Sequence, residues 1–202
     1  LIASILVKDC NVKNLNTFSI GMEGSSDLLN AKLVADFLGT THHEVKLTEE
    51  EFLDALSEVV IQIESPDVTT VRASVGMYLL SKYIKNNTEI KVILSGEGAD
   101  EVCQGYKYFH NAPDPISSHN ESLRLINDLY MFDVLRSDRC TAAFGLEVRV
   151  PFLDKSFVKE FLSINPTDRI PSFSKTLKDD NKCIEKYILR KAFDNNEYLP
   201  DT

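Results

Sequence analysis

Cysteine is scarce in this 202-residue chain and scattered where it occurs: Cys10, Cys103, Cys140 and Cys183 form no Cys-x-x-Cys pair. That spacing argues against the common zinc frameworks and a compact disulfide scaffold, and it predicts reduced thiols in a cytoplasmic protein. No apolar run approaches the length of a membrane span, and no signal-peptide pattern opens the chain. Basic charge is short too, with 22 Lys and Arg against 31 Asp and Glu and a net charge of −9. A broad nucleic-acid surface does not fit that balance, so a phosphate ligand has to be held locally by backbone amides, a few cations and metal. Internal repeats and low-complexity tracts are missing. An initiator Met is missing as well, and Leu1–Val7 reads as apolar helix without a capping residue before it. The chain is therefore expected to start within an element.

What remains is ordinary for a globular domain: 43% apolar and 26% charged residues, enough for one core with a helical annex. Thr17–Ile20 alternates as a short strand ending at Gly21. Gly24–Asp27 supplies turn and N-cap residues before Leu28, Ala31, Val34, Ala35 and Leu38 recur at helical spacing up to Gly39. His42–Leu47 reads as a second strand with His43, Val45 and Leu47 on one face. Thr48 and Glu51 form a capping box, followed by the stripe Phe52, Leu53, Leu56, Val59, Val60 and Ile63, which Ser65-Pro66-Asp67 stops. Val68–Val71 reads as a brief extended piece, with a helix from about Arg72 to Lys85.

Ile90–Leu94 then forms a buried strand. Strands alternating with helices predict a parallel sheet covered on both faces, with ligands at the carboxyl ends of its strands. Beyond residue 110 the pattern turns mainly helical. Glu121–Arg139 reads as one long helix with Leu123, Ile126, Leu129, Tyr130 and Val134 as its stripe. Gly145–Asp154 is compact, with Pro151 in an extended segment and Asp154 capping another helix. Lys175–Lys182 reads as polar and mobile, and Ile184–Phe193 as a final helix.

Ser95-Gly96-Glu97-Gly98 ends the third strand and opens a helix at Ala99, which would set free backbone amides beside a ligand. Three carboxylates, Glu97, Asp100 and Glu101, crowd into five residues there. A divalent cation or cationic partner would account for them, and so would a solvated acidic first turn. The Rossmann fingerprint does not apply, because Glu101 stands where its third glycine would fall. Thr69 and Arg72 fall in a hydroxyl-rich stretch where an arginine could pair with phosphate or a substrate carboxylate, or with a nearby acid. Glu147 and Arg149 lie among apolar residues as an architectural pair. His42 and His43 read as packing or surface residues, Tyr106, Tyr108 and Phe109 as core, and Cys103 as buried.

Four stretches, Thr17-Phe18-Ser19-Ile20-Gly21, Val68–Ser74, Ser95–Glu101 and Arg149–Asp154, resemble in sequence and order the synthetase domain of the glutamine-hydrolysing asparagine synthetases. The similarity covers most of residues 1–170 and again Ile184–Phe193. It implies an α/β fold, a doubly wound parallel sheet of the adenine-nucleotide α-hydrolase type with C-terminal helical additions. Residues 1–202 would be a fragment of one ATP-pyrophosphatase-type domain, with an α/β core at 1–110 and a mainly helical part at 111–202.

The implied chemistry is adenylation of the aspartate side chain by ATP, loss of pyrophosphate, and displacement of AMP by ammonia from a glutaminase domain. Ile20, Ser95 and Gly96 match adenosine-holding positions, and Glu97 matches the residue that forms or uses the adenylate. Asp100 matches a carboxylate near Mg²⁺ and pyrophosphate, and Thr69 and Arg72 match contacts to the transferring phosphate or substrate. A homodimer is compatible with the reading; nucleic acid and membrane are not expected partners. The family's Ser-Gly-Gly-x-Asp-Ser loop would fall upstream of Leu1 and a later lysine segment past Thr202, so this fragment alone is expected to be inactive. Rival readings are a β-lactam-forming type of synthetase and a non-catalytic nucleotide-binding module.

Overall fold

The structure, a computed structural model, describes residues 1–172, 174–177, 185–194 and 197–200. It divides into two compact units. The first comprises Leu1–Leu94, Leu135–Arg149 and the segment from Tyr198; the second comprises Ser95–Val134 and the described part of Val150–Glu197.

In the first unit, β1 (Asn16–Met22) pairs in parallel with β2 (Thr41–Leu47), with Ile20 opposite Val45. The crossover is α2 (Ser26–Leu38): Ser25 accepts a hydrogen bond from the Asp27 amide, and Gly39 ends the helix in the left-handed region at φ 66°. Leu28, Ala35 and Leu38 are buried, as their spacing predicts. In β2, His43, Val45 and Leu47 are half-buried while Glu44 and Lys46 face solvent. A second parallel pair joins β3 (Val92–Leu94) to β4 (Glu147–Arg149), with Ile93 opposite Val148. The expected strands thus lie in two two-stranded sheets, and a mixed α/β unit with parallel strands is what the structure shows.

The core of this unit lies between α4 (Leu56–Ile63), α5 (Val68–Asn87) and α8 (Asp133–Ala142), where Val59, Ile63, Val75 and Cys140 are fully buried. Each such aliphatic side chain contributes about 1.5–3 kcal/mol. The Thr48–Glu51 capping box is present and opens α3 (Glu49–Asp54), which gives way to α4 at Ala55. Val68–Val71, expected to be extended, is instead the first turn of α5. Asp67 overrides the β-branched preference by accepting a hydrogen bond from the Thr70 amide at 2.7 Å, and Val71 and Val75 are rewarded by burial.

In the second unit, the helix expected over Glu121–Arg139 is divided. α7 (Pro115–Asp128) starts earlier, capped by Asp114, and a short 3₁₀ turn (Leu129–Met131) precedes a break at Phe132, whose φ and ψ are −123° and −99°. The expected stripe is inward only in part: Ile126 packs against the Val102 core and Leu129 is buried. Ser118 and Ser122 are fully buried, whereas Leu123 is 44% exposed. Small side chains let α7 sit close to its neighbours α6 (Ala99–Val102) and α10 (Pro166–Arg169).

Asp154 caps α9 (Lys155–Ser163) as expected, accepting from the amides of Ser156 and Phe157. Val102, Cys103 and Phe161 form the core here, with Phe157, Ile188 and Leu189 packed against it. The final helix, α11 (Tyr187–Ala192), is shorter than expected and begins after Lys186. Ile184 and most of the charged stretch expected to be mobile, residues 178–182, lie outside the described residues. The described helices include none long and apolar enough to cross a membrane.

Candidate functional site

In the second unit the site is a turn. The Ala99 amide donates to the Gly96 carbonyl at 3.2 Å, and Gly98 sits at φ 85°, ψ −11°, the third position of a type II turn. Only glycine takes that position without strain. Gly98 is also crowded: Leu153, from the 3₁₀ turn Pro151–Leu153, occupies the space that a Cβ would need, its Cδ1 only 3.1 Å from that point. Gly96 is exposed, and Ser95 and Glu97 are half-buried.

α6 spans one turn only, so its dipole is a minor part of the site. It ends with Gln104 in the left-handed region and the Gly105 amide bonded to the Asp100 carbonyl at 2.8 Å, a Schellman closure. The three crowded acids have three different settings. Glu101 is 3% exposed and accepts a hydrogen bond from the Tyr106 hydroxyl; burial raises its pKa above the ordinary carboxylate value. Asp100 forms an ion pair with Lys186 at 2.6 Å. Glu97 alone lies within the turn. Sequence reasoning missed Lys186, whose neighbours in the chain carry no motif that marks it, and Gly105, against which the pair packs.

In the first unit, Thr69 and Arg72 stand exposed on the first turns of α5, whose amides Asp67 caps. The hydrogen bond from the Thr70 amide, the larger of its causes, holds the Asp67 carboxyl below its usual pKa. Arg72 makes no hydrogen bond or ion pair among the described residues. It borders an open groove of about 440 Å³ lined otherwise by apolar side chains, including Phe52, Leu56, Val60 and Val71. An unpaired guanidinium at a helix N-terminus is electrostatically unfavourable in isolation and suits an anionic ligand. Ile20, on β1, packs over Gly76 of α5, 3.8 Å from where its Cβ would lie.

Other expectations are corrected or sharpened. Glu147 and Arg149 are paired at 2.7 Å, as expected of an architectural pair, but both side chains are more than 60% exposed (61% and 64%), so the pair is not buried. His42 bonds to the hydroxyls of Thr17 and Ser19, each at 3.0 Å, and His43 stacks on Phe18. No cluster of three or more metal-ligating side chains occurs among the described residues. Phe109 is core, but Tyr108 is 45% exposed and stacks between Tyr106 and Phe109. Cys103 is buried, and desolvation pushes its thiol up to about 12.

What the described residues define is a mixed α/β protein with parallel strands. A family profile described as Asparagine synthase matches residues 1–121 and 116–202. The chain belongs to the asparagine synthase family. It is 52% identical over 204 aligned positions to the asparagine synthetase (glutamine-hydrolyzing) of Mesocricetus auratus, covering 99% of this chain and 35% of that protein. The Homo sapiens protein of the same name is 51% identical, with the same coverage. That of Rattus norvegicus is 55% identical over 186 positions, covering 92% of this chain and 32% of the relative. The chain thus spans about a third of the length of these curated relatives.

Proposed function

We propose that this chain is part of the synthetase domain of an enzyme that makes asparagine from aspartate, ATP and ammonia, and that its full fold is a doubly wound sheet of the adenine-nucleotide α-hydrolase type. The observation that carries the reading is the Ser95–Gly98 turn, built around a glycine that tolerates no side chain, within a chain about half identical to proteins named asparagine synthetase.

In the first step an oxygen of the aspartate side chain attacks the α-phosphorus of ATP. The bond to pyrophosphate breaks, and an aspartyl-adenylate forms. In the second, ammonia attacks the activated carbonyl carbon, a C–N bond forms and AMP leaves with the C–O bond electrons. Ser95, Gly96 and Ile20 hold the adenosine. Thr69 and Arg72 contact the reacting phosphate or the aspartate, where an exposed, unpaired guanidinium can offset developing charge. Glu97 takes the proton that ammonia must lose, a role for which a carboxylate fixed within the turn is suited.

Mg²⁺ suits Asp100, since this ion is commonly held by one or two carboxylates plus substrate phosphates rather than by an all-protein cage. When bound, it would neutralise charge on the phosphates. Ammonia would come from a glutaminase domain, as the names of the relatives suggest.

The test is aspartate-dependent release of pyrophosphate from ATP by the full-length protein with ammonium supplied. Release without a need for aspartate, or ATP binding with no release for any carboxylate, would overturn the reading in favour of a different adenylating synthetase or a non-catalytic nucleotide-binding module.

A further inference from the structure

Lys186 is not an ordinary surface lysine. Its side chain is 19% exposed, less than the 40% of its partner Asp100, and its Nζ lies 2.6 Å from Asp100 Oδ1. Its backbone is in the left-handed region at φ 51°, an uncommon conformation for a residue with a side chain. Lys186 stands at the N-cap of α11, and Ile188 and Leu189, two and three residues later, pack against the cluster of Val102, Cys103 and Phe161, next to the turn that carries Asp100.

The ion pair lies flat on Gly105. A Cβ there would sit 2.6 Å from Lys186 Cε and 2.7 Å from its Nζ, and still nearer to Asp100 Oδ1. Glu185 is the more distant partner, 3.9 Å from Lys186 Nζ, and it also pairs with Arg190 at 3.0 Å. The ammonium is thus held closest to Asp100, with packing on one side and a missing side chain on the other.

We propose that Lys186 is a positioning residue that acts as the resident counter-ion of Asp100, which a divalent cation must displace to reach that carboxylate. The inference rests on the reading of Asp100 as a cation-binding residue. Lys186 keeps the acidic turn neutralised and Asp100 in one place while no cation is bound, and so works as a built-in competitor against free metal. Metal arriving with phosphate is favoured over metal alone, because the displaced ammonium then gains an anion to face.

The experiment is Mn²⁺ binding to the full-length protein without nucleotide, read by the loss of the free-ion EPR signal. Asp100→Asn identifies the class of site that depends on this carboxylate. Lys186→Met should bind Mn²⁺ at that site about three- to fivefold more tightly than wild type, the range that removal of a partly exposed ion pair supports. Lys186→Arg, which keeps the charge, should stay near wild type. Lys186→Gln repeats the test if the methionine variant folds poorly. Unchanged or weaker Mn²⁺ binding in the neutral variants overturns the proposal, and so does a wild-type protein with no Asp100-dependent Mn²⁺ site. Either result leaves aspartate-dependent pyrophosphate release as a separate question, since no nucleotide is present in this assay.

Discussion

Leu153 fills the space that a side chain on Gly98 would need, in a position where the backbone is already at φ 85°. The 3₁₀ turn Pro151–Leu153 thereby touches the Ser95–Gly98 turn. Gly98→Ala should destabilise the protein by about 2–4 kcal/mol, from a disfavoured φ together with overpacking. Adding Leu153→Ala should recover the overpacking part but not the backbone part, so the two changes will be non-additive in a denaturant double-mutant cycle.

The burial of α4 gives a contrast within one helix. Ile63 is fully buried and Ile61 is 78% exposed. Ile63→Ala should cost about 2–5 kcal/mol through lost contacts and a cavity. Ile61→Ala should stay within about 0.5 kcal/mol of wild type. Equal effects would mean that the helix is rotated relative to the structure.

Much of this architecture is legible in the sequence where one local cause dominates. Thr48 with Glu51, Ser25, Gly39 and Asp154 set helix ends through hydrogen bonds or backbone conformation that depend on the nearest few residues. The alternation His43, Val45, Leu47 likewise marks its buried face. The misreadings occur where distant packing decides. Val68–Val71 has the composition of a strand, but Asp67 and the pocket for Val71 and Val75 make it helical. The stripe beyond residue 120 is read correctly at Ile126 and Leu129, whereas Leu123 and Tyr130 point outward and the small Ser118 and Ser122 are buried in α7. In the site, Gly98 is visible as a turn glycine, whereas its conflict with Leu153 and the pairing of Asp100 with Lys186 join residues far apart in the chain. Of the three crowded acids, Glu101 is taken up by burial and by the Tyr106 hydroxyl.

Thiol reactivity follows from burial. Cys10 is exposed, whereas Cys103 and Cys140 are buried, and desolvation raises both of their pKa values, Cys103 to about 12. At pH 8, Cys10 should react with an aromatic disulfide reagent while Cys103 and Cys140 react only after unfolding. The Cys103 thiol binds its proton more tightly folded than unfolded. Its contribution therefore makes stability fall as pH rises above about 9, the ordinary value, towards about 12. Mapping the labelled peptides and following unfolding midpoints between pH 8 and 10 check both statements, with Cys103→Ala as the reference.

Arg72 is exposed and unpaired, so Arg72→Ala should leave stability within about 0.5 kcal/mol of wild type. Pyrophosphate release should fall by about 100-fold or more, and Arg72→Lys should recover little, because a lysine cannot supply two parallel hydrogen bonds to one anion. A large loss of stability with unchanged release would assign Arg72 to the fold instead.

The most direct test of the proposed chemistry is to compare wild type with Glu97→Gln in the full-length protein, following both aspartate-dependent pyrophosphate release and asparagine formation from ammonium. The account predicts that the amide, which cannot accept the proton, abolishes asparagine formation while the protein remains folded and binds ATP. Wild-type rates of asparagine formation by Glu97→Gln would contradict it.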